Sequence, residues 1–250
     1  MSDWLWEGID VSWCQTQVDW KRVAASGIRF AMIRAGFCYN DGSLKEDKML
    51  RSHVQGAKAA GLEVGFYLYS YALTPQAART VARQVAQLAA PYKPTFPIAF
   101  DLEDPSLERL GRDTLTQTAA AFCQEMEQAG FYAMIYANKD WLTRLLDARA
   151  LASYDIWLAQ WASQPSWNGS FGLWQYAGSQ GRVDGVNGPC DRDRCRRDYP
   201  SIIRAAGLNG WTTAPPEPEP KPEEPDWQAR CQALQKKLDA IQAILDQPLS

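Results

Sequence analysis

Apolar runs and amphipathic, helix-length segments take turns along the first 140 residues of the chain. Gly8 to Ser12 reads as a short strand and Val18 to Ser26 as a helix closed by Gly27. Phe30 to Gly36 is a second strand. A helix follows from about Lys45 to Ala60, with Gly61 where a left-handed residue commonly ends a helix. Val64 to Tyr71, Pro97 to Leu102 and Ala133 to Asn138 are further strands, separated by helices at Pro75 to Ala90 and Asp113 to Ala129. Asp155 to Trp161 and Phe171 to Ala177 are two more strands, joined by a short polar loop, and an eighth element around Gly181 to Asp193 is poorly defined. Strand and helix units with apolar strands predict a parallel sheet buried on both faces. Eight strand candidates in about 210 residues point to an α/β fold, an irregular, TIM-like β/α barrel with some late helices missing. A doubly wound open sheet is the runner-up, but no glycine-rich phosphate loop follows the first strand.

The fourth strand runs into Asp101-Leu102-Glu103-Asp104-Pro105. Alternate side chains of a strand share a face, so Asp101 and Glu103 fall side by side, roughly 6.5 to 7 Å apart at their Cα atoms. Two carboxyl groups that close split their titrations, one ionised and one held protonated, which suits glycoside hydrolysis. The plainer reading is a strand running out into a solvated acidic turn. Other polar residues fall late in their strands: Asp10 in the first, Tyr67 and Tyr69 in the third, Trp174, Gln175 and Tyr176 in the seventh. A β/α barrel gathers its active site at these carboxyl ends, so acids and aromatics distant in sequence would share one cleft. Taken alone, Asp10 is equally a turn or helix-capping aspartate.

Composition narrows the partners. The net charge is −3, with five acids and one lysine between 212 and 226 and three bases and two acids beyond, which leaves residues 1–211 formally neutral. A neutral body gives no electrostatic case for nucleic acid. Eleven Trp and ten Tyr suit sugar faces, although half or more could simply fill a core. No apolar run is long enough to span a bilayer, and residues 1–7 lack the pattern of a signal peptide, so synthesis in the cytoplasm is expected, with the product staying there or leaving by a route that needs no signal peptide. Six cysteines in this length do not make a disulfide scaffold. Cys190 and Cys195 bracket four residues and read as a bridged loop or half of a metal site; no second Cys/His pair supports a metal, and the only histidine, His53, lies in a helical segment where packing is the expected role. No cofactor is implied.

The motifs Gly8-Ile9-Asp10-Val11-Ser12, Gly65 to Tyr71, Asp101-Leu102-Glu103, Tyr136-Ala137-Asn138, Trp157 to Trp161 and Trp174-Gln175-Tyr176 occur in the order seen in glycoside hydrolase family 25, the Chalaropsis-type lysozymes. Over about residues 7–211 the chain resembles this family. The resemblance implies cleavage of the β-1,4 bond between N-acetylmuramic acid and N-acetylglucosamine in peptidoglycan. It makes Glu103 the general acid, Asp101 its partner carboxylate and Asp10 the acid of strand one. The fourth acid, within a V-D-x-N or V-D-x-D segment, is assigned to Asp191 in Cys190-Asp191-Arg192-Asp193, with Asp184 as a competitor and Cys where valine is common. Tyr39, Tyr67, Tyr69, Tyr136 and Trp174 are candidates for stacking on sugars, and Gln175 is a candidate substrate contact; Tyr69 and Tyr136 fit a core equally well. Retaining or inverting chemistry is open, and the resemblance favours help from the sugar's own 2-acetamido group.

Residues 1–211 are thus expected to form the catalytic barrel. Residues 212–226, with proline at about every second position, are expected to form an extended spacer. Residues 227–250 carry Trp227, Cys231, Leu234, Leu238, Ile241 and Leu245 at heptad spacing and are expected to form a short helix able to make a homo-oligomer. An enzyme with a linker and a small second module is the plan of a bacteriophage endolysin or a self-exported wall hydrolase, so the resemblance implies action on the cell wall, with phage-type release. The rival expectation is a non-catalytic glycan-binding or structural phage component with its barrel on an oligomeric tail.

Overall fold

The computed structural model describes residues 4–212 and, beyond them, residues 235 and 237; the proposed spacer and oligomerisation helix lie outside the described residues. The strands are β1 (Trp6–Val11), β2 (Ile28–Cys38), β3 (Leu44–Glu46), β4 (Glu63–Ser70), β5 (Ile98–Asp101), β6 (Ala133–Asn138), β7 (Asp155–Ala159), β8 (Leu173–Ala177) and β9 (Asp191–Cys195). The helices are α1 (Trp20–Ala25), α2 (Leu50–Ala59), α3 (Pro75–Ala89), α4 (Arg112–Gln128) and α5 (Tyr199–Ala205). Around the sheet the order is β1, β9, β8, β7, β6, β5, β4, β2, and β2 pairs again with β1, so eight strands close into a barrel while β3 extends one edge of β2. Every pair in the ring is parallel except those of β9, which runs antiparallel to both β1 and β8.

The period of two along each strand separates two apolar layers. Ile9, Ile33, Phe66, Phe100, Ile135 and Leu158 point outward against the helices, whereas Phe30, Met32, Ala99, Met134 and Leu173 fill the interior. Inward glycines make room for the large fillers: a Cβ on Gly8 would lie 2.2 Å from the Phe30 ring, and one on Gly65 2.6 Å from Met32 Sδ. Phe30 stacks on Phe96 at 4.5 Å between ring centres, and Phe96 meets Tyr199 of α5, which closes the amino-terminal end of the barrel.

Two elements differ from the expectation drawn from the sequence. The helix expected from about Lys45 begins at Leu50, because Leu44–Glu46 pairs with Gly36, Phe37 and Cys38. Gly36 allows this close return, since a Cβ there would sit 2.2 Å from the Lys45 carbonyl oxygen. Of the ill-defined eighth element around Gly181 to Asp193 only the end is strand: β9 begins at Asp191 and runs antiparallel, and α5 follows it, its start marked by Asp198 accepting from the Ser201 backbone N–H, with proline in the first turn. Among the described residues no helix is long and apolar enough to cross a membrane.

Candidate active site

The inward positions at the carboxyl ends of the parallel strands carry Asp10, Arg34, Tyr67, Tyr69, Asp101, Tyr136, Trp157 and Gln175. Together with Glu103 and Asp191 they line a cavity of about 130 Å³. Because β9 is antiparallel, its first residue, Asp191, lies beside Asp10 near the end of β1. The strand β5 ends at Asp101, and the Leu102 N–H still donates to the Tyr136 carbonyl at 3.0 Å, which carries Glu103 one step past the strand into the same cavity. The four acids assigned from the sequence are therefore brought together.

A hydrogen-bonded chain crosses the cavity floor. Gln175 Nε2 donates to Asp10 Oδ2 at 2.8 Å, and Gln175 Oε1 accepts from the Tyr136 hydroxyl and from Trp161 Nε1, each at 3.0 Å. The Tyr136 hydroxyl also lies 3.3 Å from Glu103 Oε2. Tyr69 donates to Asp104 Oδ2 at 3.1 Å. One level deeper, Asp193 Oδ1 accepts from Trp157 Nε1 at 2.8 Å, while Asp193 Oδ2 and Asp101 Oδ1 are buried without a hydrogen-bond partner. Arg34 is the one cation among the lining residues, and Asp47 holds it at 2.7 Å; Asp47 in turn accepts from the backbone N–H groups of Trp13 and Met49.

Burial dominates the electrostatics, because a desolvated carboxylate is costly to ionise. Asp10 is pushed well above the usual carboxylate range by burial and then by the charges of Asp193 and Asp191. Asp101 is likewise raised, by burial first and by Glu103 second, with Arg34 opposing. Glu103 is raised by burial, opposed by the Tyr136 hydroxyl and helped by Asp191 and Asp104. Asp191 rises to about 6 through burial. Asp101 and Glu103 thus repel each other, as their spacing in the sequence predicts, and Asp191 and Asp104 add further like charge beside Glu103.

Several expectations need correction. Trp174 is fully buried in the outer layer, its Nε1 donating to the Gln160 carbonyl at 2.8 Å, so it presents no face to a sugar. The reason is parity: Trp174 and Gln175 are consecutive, and only Gln175 can point inward. Tyr39 is exposed but lines, with Phe37 and Tyr71, a separate depression of about 590 Å³. Asp184 is bound at the surface by Arg22, and its depression shares no residue with the acid cavity. Cys190 and Cys195 are free, buried thiols; across an extended strand they stand roughly 16 Å apart, far beyond the reach of a disulfide. His53 is buried and bonded to the Ser12 carbonyl at 3.0 Å. Among the described residues no group of His, Cys, Asp and Glu is arranged to hold a metal ion.

Arg34, Trp157 and Asp193 are site residues beyond those expected, although Trp157 opens the motif Trp157 to Trp161 and Asp193 closes the segment Cys190 to Asp193. All three share parity with inward-facing residues: Arg34 continues Phe30 and Met32 inward, and Asp193 follows Asp191 by two.

The sequence pattern described as "Glycosyl hydrolases family 25" matches residues 9–186, and this stretch carries Asp10, Asp101 and Glu103. The chain belongs to that family. It is 27% identical over 191 residues to an autolytic lysozyme of Clostridium acetobutylicum, a match covering 75% of this chain and 55% of that protein. It is 30% identical over 193 residues to the uncharacterized protein YegX of Escherichia coli K12, covering 74% and 67%. The modular autolysin LytC of Streptococcus pneumoniae, solved with a synthetic peptidoglycan ligand, superposes with a TM-score of 0.65 at 25% identity over 76% of this chain and 46% of that one. This chain therefore spans only about half the length of two of these three relatives.

Proposed function

We propose that this chain is a peptidoglycan hydrolase, a muramidase that cleaves the β-1,4 bond between N-acetylmuramic acid and N-acetylglucosamine. The observation that carries this reading is the convergence of Glu103, Asp101, Asp10 and Asp191 on one tyrosine-walled cavity at the carboxyl end of a family 25 barrel. The autolytic activity of the Clostridium relative and the peptidoglycan ligand of LytC support it.

Glu103 is the general acid. Burial holds its proton toward neutral pH, and the Tyr136 hydroxyl beside Oε2 fixes the carboxyl group. The glycosidic C–O bond breaks as the Glu103 proton passes to the departing oxygen. Asp101, with one oxygen unpartnered, accepts from the N–H of the 2-acetamido group, whose carbonyl oxygen bonds to the anomeric carbon. Water then opens that intermediate and returns a proton to Glu103. Asp191, ionised above about pH 6, stabilises positive charge developing on the sugar, and Asp10 is held beside it by Gln175 Nε2. Gln175, Tyr67 and Tyr69 line the space for the ring.

The test is clearing of a suspension of purified peptidoglycan, with mass analysis of the new ends. Fragments ending in reducing N-acetylmuramic acid are expected. Reducing N-acetylglucosamine ends would assign a different bond, and no clearing with intact folding would support a binding or structural role instead.

A further inference from the structure

Among the described residues the most exposed large apolar side chain is Trp161, 63% open to solvent. A single exposed tryptophan is ordinary on a protein surface. This one is held by two contacts that a loosely placed surface ring lacks. Its Nε1 donates at 3.0 Å to Gln175 Oε1, and Gln175 is 3% exposed and bonded to both Asp10 and Tyr136. Its six-membered ring lies over Gly178, where a Cβ would fall 2.1 Å from Cζ2 and 2.6 Å from Cη2. The ring is thus oriented by a buried amide and a bare backbone floor while most of its surface stays open.

Its place in the barrel gives it a direction. Trp161 follows β7 at the carboxyl end, beside the acid cavity. Around the closed ring β7 stands four strands from β2, the opposite side of the mouth, where Tyr39 is exposed. A flat, fixed indole at the edge of an acid cleft presents an apolar face of the size of a pyranose ring, whose axial C–H groups pack on aromatic faces.

We propose that Trp161, seated on Gly178 and fixed through Gln175, is a stacking platform for an N-acetylated pyranose of the glycan strand, one unit beyond the pair whose bond is cut. This rests on the hydrolase reading for the identity of the strand, but not for the existence of the platform. Gln175 links the two, so a sugar on Trp161 is held in register with Asp10 and Tyr136.

The experiment uses the full chain carrying Glu103→Gln, which binds without turnover, and calorimetric titration with glycan strands freed of peptide and fractionated to two and to six sugars. Adding Trp161→Ala should weaken binding of the six-sugar strand roughly 2- to 10-fold, the range of one aromatic stacking contact, and leave the two-sugar strand unchanged. Gly178→Ala should do the same, since that glycine does not need a left-handed backbone and its methyl group would lift the ring from its seat. Trp161→Phe, which keeps a ring and loses the N–H, should fall between. Six-sugar binding unaffected by both Trp161→Ala and Gly178→Ala overturns the platform, as does an equal loss for both strand lengths. If the unmodified chain clears no peptidoglycan while Trp161 still governs six-sugar binding, the hydrolase reading fails and the platform stands. If the unmodified chain clears peptidoglycan while six-sugar binding is indifferent to Trp161, the platform fails and the hydrolase reading stands.

Discussion

The barrel has two unlike halves. From β2 to β6 the strands of the ring are parallel and helix-backed, with α2 packed on β2 and β4, α3 on β2, and α4 on β5 and β6. Between β7 and β8 and between β8 and β9 no α-helix intervenes, and the outer face is covered by side chains instead. Arg196 lies over Phe171 at 4.1 Å and Trp4 at 4.5 Å, and Arg194 lies over Tyr176 at 4.4 Å and pairs with Glu7 at 2.7 Å. The helical half contributes Asp101 and Glu103 from a single stretch, and with them Arg34, Tyr67, Tyr69 and Tyr136. The other half contributes Asp10, Asp191, Asp193, Gln175 and Trp157 from four strands. Regular packing holds the proposed proton donor and the tyrosine wall, and the irregular half adds the remaining acids and Gln175.

The sharpest division should be chemical. Glu103→Gln keeps size and hydrogen-bonding shape but removes the transferable proton, so peptidoglycan clearing should fall about 10² to 10⁴-fold, the usual range for general acid catalysis. Thermal stability should barely fall. Near-normal clearing would take the proton donor away from the helical half.

The helical half should also carry more of the stability per side chain. Phe122 of α4 is fully buried and stacks on Phe100 of β5 at 4.4 Å. Phe122→Ala should cost about 3 to 5 kcal/mol in denaturant unfolding, the range for emptying a buried aromatic site. A loss below about 1 kcal/mol would mean that the two layers are held by something other than this contact.

How far each half can be read from the sequence follows from the same difference. Helix-backed strands alternate with amphipathic segments, so their periodicity is visible and their order in the barrel follows the chain. Asp191-Arg192-Asp193-Arg194-Cys195 has no such signal, because its inward side chains are acids of the site and its outward arginines lie on aromatic rings. Burial without apolar periodicity is invisible to a hydrophobic pattern. Trp174 misleads for a related reason: as a family motif Trp174-Gln175-Tyr176 is one block, but the pleat sends its members to opposite faces. Glu103 is legible because its neighbours in sequence are its neighbours in space.

Buried acids set the pH dependence in both halves, Asp101 in the helical one and Asp193 in the other. Asp193 is fully buried and raised well above the usual carboxylate range by burial, so the native state binds a proton that the unfolded chain releases. Its stabilising contribution is complete below the ordinary aspartate pKa and is lost as pH rises toward the raised value. Asp193→Asn, which can still accept from Trp157, should match the parent near pH 3.5 and become progressively more stable than it toward pH 8. A difference in melting temperature that stays flat with pH would refute this.

The proposed role of Glu103 requires it to be protonated, so activity should decline as pH rises through its raised pKa. Above about pH 6, where Asp191 is charged, that charge helps hold the proton on Glu103. In Asp191→Asn the residual activity should therefore show an alkaline limb moved to lower pH, beside a strong drop in turnover. Asp184→Asn, which breaks only a surface pair, should change neither, and its stability effect should stay within about 0.5 kcal/mol. The reverse ranking would move the fourth acid to Asp184.

The smallest effect tests what covers the helix-free face. Arg196 could act there as a charge or as a flat plate between Phe171 and Trp4. Lysine keeps the charge but has no planar group to lay on both rings. If the plate matters, Arg196→Lys should lose about 0.5 to 1 kcal/mol, most of what Arg196→Ala loses, because a partly exposed cation over an aromatic ring contributes on that scale. High salt should leave that loss in place, since it comes from packed faces rather than from a screened pair. The contribution of Arg194, tied to Glu7 with both side chains about a third exposed, should shrink as salt rises. Full stability in Arg196→Lys would show that charge alone covers this side of the barrel, and that the aromatic rings beneath it need no plate.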